Sequence, residues 1–564
     1  MKKNKRQITA VLLCILLVLS GCGTQNSTED SSSLKTVSSE NVTVTTVSAI
    51  DTAGAFSDRD LAGTFDESEA IPIQLNGDSA TCDSNSVTID GGTVTITDEG
   101  VYLLSGNLTN GQIIINAGDT DKVQLVLAGT NITSSTSAAL YALEADKVFV
   151  TLAEGTENTL TNGGEYIAID DNNIDAVIFA KTDLTLNGSG SLTIHAQAGH
   201  GVVSKDDLVI AGGNYTINAA SHGLSGKDSI AIADGTFVIT SGKDGIHSEN
   251  SDDTSLGWLY ISNGSFAITA QGDAVSAQGA LQIDGGAFEL YTGEGSASVE
   301  MTNSDQFGPM GGGQRGGWTD PAATDAQTEE DSVSQKGIKG ESIYAINGGT
   351  FTIDSADDCL HAGGAMVIAA GEFVLSSGDD AVHCDDALTI QSGTFTIPYC
   401  YEGIEGLSII IEEGSFDITS NDDGLNAAGG ADSSGLGGFG NQQQDAFAAS
   451  SDNFIIINGG TFTIVSGGDS IDSNGDLTIN GGTLDLTCNG NGDTALDCDG
   501  AYTNNGGDVT TNDGSESNPG QMGGGMGGPA GRGDRGTMGN QDDPSMYGQD
   551  DLEKFGGKAP GPRT

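Results

Sequence analysis

Carboxylates recur in adjacent pairs along the second half of this chain. Asp357-Asp358, Asp379-Asp380 and Asp422-Asp423 stand at equivalent places in successive segments, and Glu402 holds the place between the last two. Asp358, Asp380 and Glu402 follow one another at intervals of 22 residues. If such segments stack as neighbouring strands, their carboxylates lie about 4.8 Å apart. Two anions at that distance repel by about 0.9 kcal/mol in water and about 3.5 kcal/mol at an effective dielectric of 20. A hard divalent cation removes the repulsion and accepts roughly six to eight oxygen ligands. Calcium is the expected ion, with Asp357, Asp358, Asp379, Asp380, Glu402, Asp422 and Asp423 as its ligand set. The alternative for each Asp is a turn cap that faces water.

A second set lies at the fourth position of the same segments: His247, Lys339, His361, His383, Glu405, Asn426 and Asp472. The set is polar throughout, so it is expected to face outward as a solvated groove wall. His361 and His383 fall one segment apart, but this is not a recognised zinc spacing. Sugar rings stack on flat aromatic faces. Trp258 and Tyr260 flank Leu259 on an alternating stretch, so both are expected to point outward, about 6.8 Å apart. Tyr399 and Tyr401 form a second such pair. The candidate carbohydrate-binding residues are therefore Trp258, Tyr260, Tyr399, Tyr401, His361 and His383. Surface aromatics without partners are the alternative.

A repeat must position all of these. The segment from His200 reads HGVVSKDDLVIAGGNYTINAAS, and the next, from His222, reads HGLSGKDSIAIADGTFVITSGK. Each unit carries alternating stretches such as Leu388-Thr389-Ile390 and Phe395-Thr396-Ile397, separated by Gly turns. Two or three short strands in about 22 residues make one rung of a parallel β-helix, an all-β solenoid in which equivalent residues form columns. Phe237, Phe266, Phe288, Phe351, Phe373, Phe395 and Phe416 are expected to fill the interior, and Asn347, Asn458 and Asn480 to form turn ladders. The period breaks at about 297–335 and 427–452, which read as loops extruded from a rung. The solenoid is expected over 71–515, with a Gly/Met/Asp-rich disordered tail over 516–564.

Composition agrees. The chain has 564 residues, 86 of them Gly, with 79 acidic residues against 20 basic ones and a net charge of −59. That charge excludes nucleic-acid binding by phosphate neutralisation. Lys2, Lys3, Lys5 and Arg6 precede an apolar run, Ile8 to Leu19, that is too short to span a membrane comfortably and reads as a secretory signal. Removing those four positive charges takes −59 to −63. The run ends in Leu19-Ser20-Gly21-Cys22, which resembles a bacterial lipobox and implies a lipid anchor on Cys22. Residues 1–21 are then a signal peptide and 22–70 a Ser/Thr-rich tether at the outer face of the cell membrane. Cys82, Cys359, Cys384, Cys400, Cys488 and Cys498 contain no C-x-x-C pair and read as scattered buried thiols.

A family resemblance appears upstream of the clean repeats. Thr93-Val94-Thr95-Ile96-Thr97 leads into Gly100-Val101-Tyr102-Leu103-Leu104-Ser105-Gly106. Val123-Gln124-Leu125-Val126-Leu127, Leu152-Ala153-Glu154-Gly155-Thr156 and Asn187-Gly188-Ser189-Gly190 follow before the His-Gly and Asp-Gly rungs. Over roughly residues 80 to 500 the chain resembles the clostridial-type carbohydrate-binding β-helix family. The resemblance implies a right-handed, pectate-lyase-like β-helix, bound calcium, and a cellulose or acidic plant polysaccharide as partner, held without catalysis; the chain is expected to be a monomer. Ser377-Gly378-Asp379-Asp380-Ala381-Val382 also looks like the aspartate pair of polygalacturonases, whose two carboxylates serve as acid and base. Gly199-His200-Gly201 lies upstream of that pair rather than downstream, and the Arg-x-Lys element of those enzymes is missing. A lyase or hydrolase, and an adhesin without sugar specificity, are the competing expectations.

Overall fold

Three short strands make each rung. Val382–Cys384, Ala387–Ile390 and Thr394–Tyr399 form one, and each pairs in parallel with its counterparts in the rungs on either side. The structure, a computed structural model, describes residues 47–299, 301, 334–428, 452–490 and 492–519. Stacking the rungs builds three faces. The first-face strands form a 15-stranded sheet. The second and third faces join into a 30-stranded sheet, because the long strands Gly100–Leu108 and Lys122–Ser134 run through both. This is the expected parallel β-helix, with three strands per rung.

The interior follows from the alternation. From Phe237 to Phe462 consecutive ring centroids lie 4.5 to 4.9 Å apart and within 8° of parallel. The rung spacing sets that distance, and aromatic rings tolerate it when offset. The turn before each ring must come close to it. At Gly371, φ is +148° and a Cβ would stand 2.7 Å from the Phe373 ring, so only Gly fits. The Asn ladder also forms: Asn480 donates to Asn458 at 2.7 Å, and Asn505 donates to Asn480 at 2.7 Å. Both insertions leave the stack continuous, since Ala287 pairs with Thr350 and Ser415 with Thr461 across them. All six downstream cysteines are free thiols, four of them buried.

The last strand, Asp508–Thr511, is followed by a cap. Asp513 and Ser515 accept the Ala495 and Leu496 amides at 2.9 and 3.0 Å, capping the last rung. Most of the tail, the two insertions and the leader with Cys22 lie outside the described residues.

One correction concerns the tether. Residues 47–64 run along the second face as a strap. The Val47 amide donates to Asn347 at 2.7 Å, and the Ala49 and Ile50 amides donate to Gln282. Phe56 packs on Tyr260. A one-turn helix, Asp58–Ala62, is closed by a Ser57/Asp60 capping box. Asp60 also reaches the sheet, 2.8 Å from the Lys147 ammonium and 2.5 Å from the Thr185 hydroxyl. Arg59 covers the Phe149 ring at 4.4 Å. A Ser/Thr-rich composition concealed this, because the strap is held by polar side chains of the sheet rather than by its own apolar pattern.

Burial raises the Asp60 carboxyl, but hydrogen bonds from Lys147, Ser57 and Thr185 outweigh it and hold the group below its usual value. Its stabilisation is therefore present above the unfolded value near pH 4 and is lost as pH falls through the depressed one. Asp60→Ala should weaken the strap by about 3 kcal/mol, as expected when one partner of a buried pair is removed. Amide exchange should speed up across 47–64 while the Phe-column rungs stay protected. Unchanged exchange in the strap would refute this clamp.

Candidate functional site

The first-face register builds two polar columns. The outer one runs Ser225, His247, Ser276, Lys339, His361, His383, then Glu405, Asn426 and Asp472. The inner one lies three residues earlier in each rung: His222, Asp244, Asp273, Lys336, Asp358, Asp380, Glu402, Asp423, Asp469. The expected grouping is therefore real, but the expected solvation holds only in part. His361 and His383 are buried, the latter to 1 % exposure, so neither ring is open to a sugar, while His247, Lys339, Glu405 and Asp472 of the same column are half-buried. Carboxylates on the same face tie both rings down and cover them.

The columns differ in how charge is balanced. In the middle rungs protein cations do it. The Lys336 ammonium lies 2.7 Å from Asp357 and 2.6 Å from Asp358, and His361 lies 2.8 Å from Asp358. Burial alone would raise Asp358, yet Lys336 and His361 outweigh it and hold it far below the usual carboxylate range. His383 sits 3.0 Å from Asp380, 2.7 Å from Glu405 and 3.1 Å from Asp385. Burial opposes its charge, but these three carboxylates push it well up. Asp357, Asp358 and Asp379 do converge, with ligand oxygens within 4.8 Å, but an ion there would compete with Lys336.

Lower rungs lack that compensation. Among the described residues, no Lys, Arg or His forms an ion pair with Glu402, Asp423, Asp469, Asp472 or Asp497. Burial, then neighbouring carboxylates, pushes Glu402 and Asp423 well up. Burial is the largest cause at Asp469 and Asp472 too, raised to about 8 and about 7. Asp469, Asp472 and Asp497 offer oxygens within 4.8 Å of one another. Beside them Asn426 donates to Glu402 at 2.9 Å, while its own buried carbonyl oxygen has no partner. Of the expected ligands, Glu402 and Asp423 belong here. Asp422 precedes Asp423 and is half-buried. Asp469, Asp472 and Asp497 were not in the expected set. Asp472 is in the expected outer column across the second insertion, but as a polar wall residue rather than as a ligand.

The aromatic pairs fare differently. Tyr260 is only 6 % exposed, lies under Phe56, and donates its hydroxyl to Asp284 at 2.7 Å. Trp258 stays half-buried beside it. The strap therefore removes this pair as an open platform. Tyr399 is 40 % exposed on the third face, and Tyr401 is half-buried next to Glu402 at the acidic corner.

A parallel β-helix with stacked carboxylates at one corner defines the class of protein. A family model described as carbohydrate-binding domain-containing protein matches residues 90–381 and 379–522, and the chain belongs to that family. A carbohydrate-binding domain-containing protein of Acetivibrio thermocellus is 37 % identical over 150 residues, 26 % of this chain and 52 % of the relative. The chain thus spans about half the length of that relative. A solved polysaccharide lyase-like protein from C. thermocellum is 34 % identical, covering 40 % of this chain and 92 % of its own, with a TM-score of 0.39.

The raised carboxyls give a signed pH dependence. Unfolded carboxyls lose their protons near pH 4, whereas Asp469 and Asp472 keep theirs to about 8 and about 7. The folded state binds more protons in that window, so its stability falls as pH rises. In chelator-treated protein, amides of 402–427 and 469–473 should open more readily at pH 8 than at pH 5.5, after correction for intrinsic exchange. Greater protection at pH 8 would show that these carboxylates are ionised and well solvated.

Proposed function

We propose that this protein binds polysaccharide at the bacterial cell surface, through calcium held at the lower acidic corner, and does not cleave it. The observation that carries the reading is the run Glu402, Asp423, Asp469, Asp472 and Asp497: one buried and four half-buried carboxylates that, among the described residues, have no protein cation in an ion pair, in a member of a carbohydrate-binding family. The donor set fits the ion. It is all oxygen, as a hard cation requires, and the unpartnered Asn426 carbonyl adds a neutral donor. Asp469, Asp472 and Asp497 would hold the ion, with Asp423 and Glu402 alongside. A calcium ion there supplies positive charge to an acidic polymer that a chain of mature charge −63 otherwise repels. For a neutral polymer such as cellulose, Tyr399 and Tyr401 are the remaining aromatic contacts.

Anchoring through lipidated Cys22 completes the proposal and places a monomer at the outer face of the membrane. Cys22→Ala should move the protein from the membrane fraction to the medium. Retention in the membrane would place the anchor elsewhere.

Titration near neutrality at Asp469 and Asp472 also suits a general acid, which favours a hydrolase as the second reading. One experiment separates the two. Binding to polygalacturonate should be lost in EDTA, return with calcium and fall at least tenfold in Asp472→Asn, with no new reducing ends or unsaturated products over hours. Products that accumulate with wild type and vanish in Asp472→Asn would replace binding by catalysis. Binding indifferent to EDTA would remove calcium from the account.

A further inference from the structure

Only six histidines occur in the chain, and five of them lie in the two first-face columns, with His200 one rung above His222 in the inner one. Three are consecutive in the upper rungs. His200 and His222 stack at 5.0 Å and 4°, and His222 and His247 at 4.3 Å and 20°. Asp244 stands against the last two. Its Oδ2 is 2.6 Å from His247 Nδ1 and 3.5 Å from His222 Nδ1. Its other oxygen accepts the Asp273 amide at 3.0 Å, which keeps Oδ2 turned toward the rings. One ligand atom from each of the three residues lies within 4.8 Å of the other two.

The surroundings suit a metal as well as the distances do. His247 Nε2 is 3.1 Å from Glu249, a carboxylate on the far nitrogen that orients a ligating imidazole and leaves Nδ1 for the metal. The proton between His247 Nδ1 and Asp244 occupies the place an ion would take. His222 Nδ1 accepts the Asp244 amide at 3.2 Å, a bond that metal ligation would replace. His247 also lines a recess of about 380 Å³ with Ser276, Gln278 and Lys339, so solvent reaches the cluster. The recess exists because Ser276 is short where the rungs on either side carry His247 and Lys339.

We propose that His222, Asp244 and His247 form a site for a divalent transition-metal ion such as zinc. Two imidazole nitrogens and one carboxylate select a borderline ion over calcium, and three protein ligands leave a position for water or a ligand group. The site is separate from the acidic corner, whose donors are all oxygen, and does not depend on the calcium reading.

Cobalt(II) is the probe, added to metal-free full-length protein and followed by its visible d–d bands and by calorimetry. One equivalent should bind with a spectrum of nitrogen ligation, persist in excess calcium and be displaced by zinc. Affinity should fall at least about tenfold in both His222→Gln and His247→Gln, since removing even an outer-shell partner of a ligand costs ~10–100-fold. It should stay within threefold of wild type in His383→Gln and Asp472→Asn. If His222→Gln does not fold, judged by circular dichroism, His247→Gln decides. Cobalt affinity within threefold of wild type in the folded His variants overturns the site, as does displacement by calcium or equal loss in Asp472→Asn.

Discussion

Every rung of a β-helix places its side chains about 4.8 Å above their counterparts, whatever their chemistry. Stacked Phe rings gain from this, and stacked amides exchange hydrogen bonds. Stacked carboxylates do not: each added rung brings another anion to a distance where repulsion is large and water is scarce. The first face meets that constraint in three ways along its length. Histidines share the column with Asp244 in the upper rungs. Lys336, His361 and His383 balance Asp357, Asp358, Asp380 and Glu405 in the middle ones. In the lower rungs the carboxylates meet one another, and their raised proton affinities record the unpaid charge.

The strap divides the faces by availability. Residues 47–64 occupy the second face and bury Tyr260, Thr185 and Asn187 there. The two polar columns stay on the first face, where the recess beside His247 opens. Charge and access thus coincide on one side of the solenoid. In the proposed function, that side of the solenoid is the one that meets polysaccharide.

Much of this was legible in the sequence because a repeat turns sequence distance into spatial distance. The 22-residue spacing of Asp358, Asp380 and Glu402 placed them in one column, and the Phe and Asn columns followed from the same rule. The failures share one cause as well. Asp60 meets Thr185 across 125 residues that no period connects, so the strap read as a tether. Tyr260 was read as outward, which it is, but its cover comes from that strap. Lys336 stands after the first insertion and Asp469 after the second. The register reaches both rungs through Lys339 and Asp472, but the period gives a residue's place in a column and not which carboxylates a cation balances. His361 and His383 were assigned to the right face, but solvation could not be read from polarity alone, because carboxylates on that face tie the rings down.

The central claim is that uncompensated carboxylates at the lower corner hold a hard cation. Anomalous diffraction from crystals of the full chain grown with calcium, recorded at long wavelength, tests it most directly. The account predicts a peak within about 2.3–2.6 Å of oxygens from Asp469, Asp472 and Asp497. A map in which those carboxylates share protons with one another, with no peak among them, would contradict it.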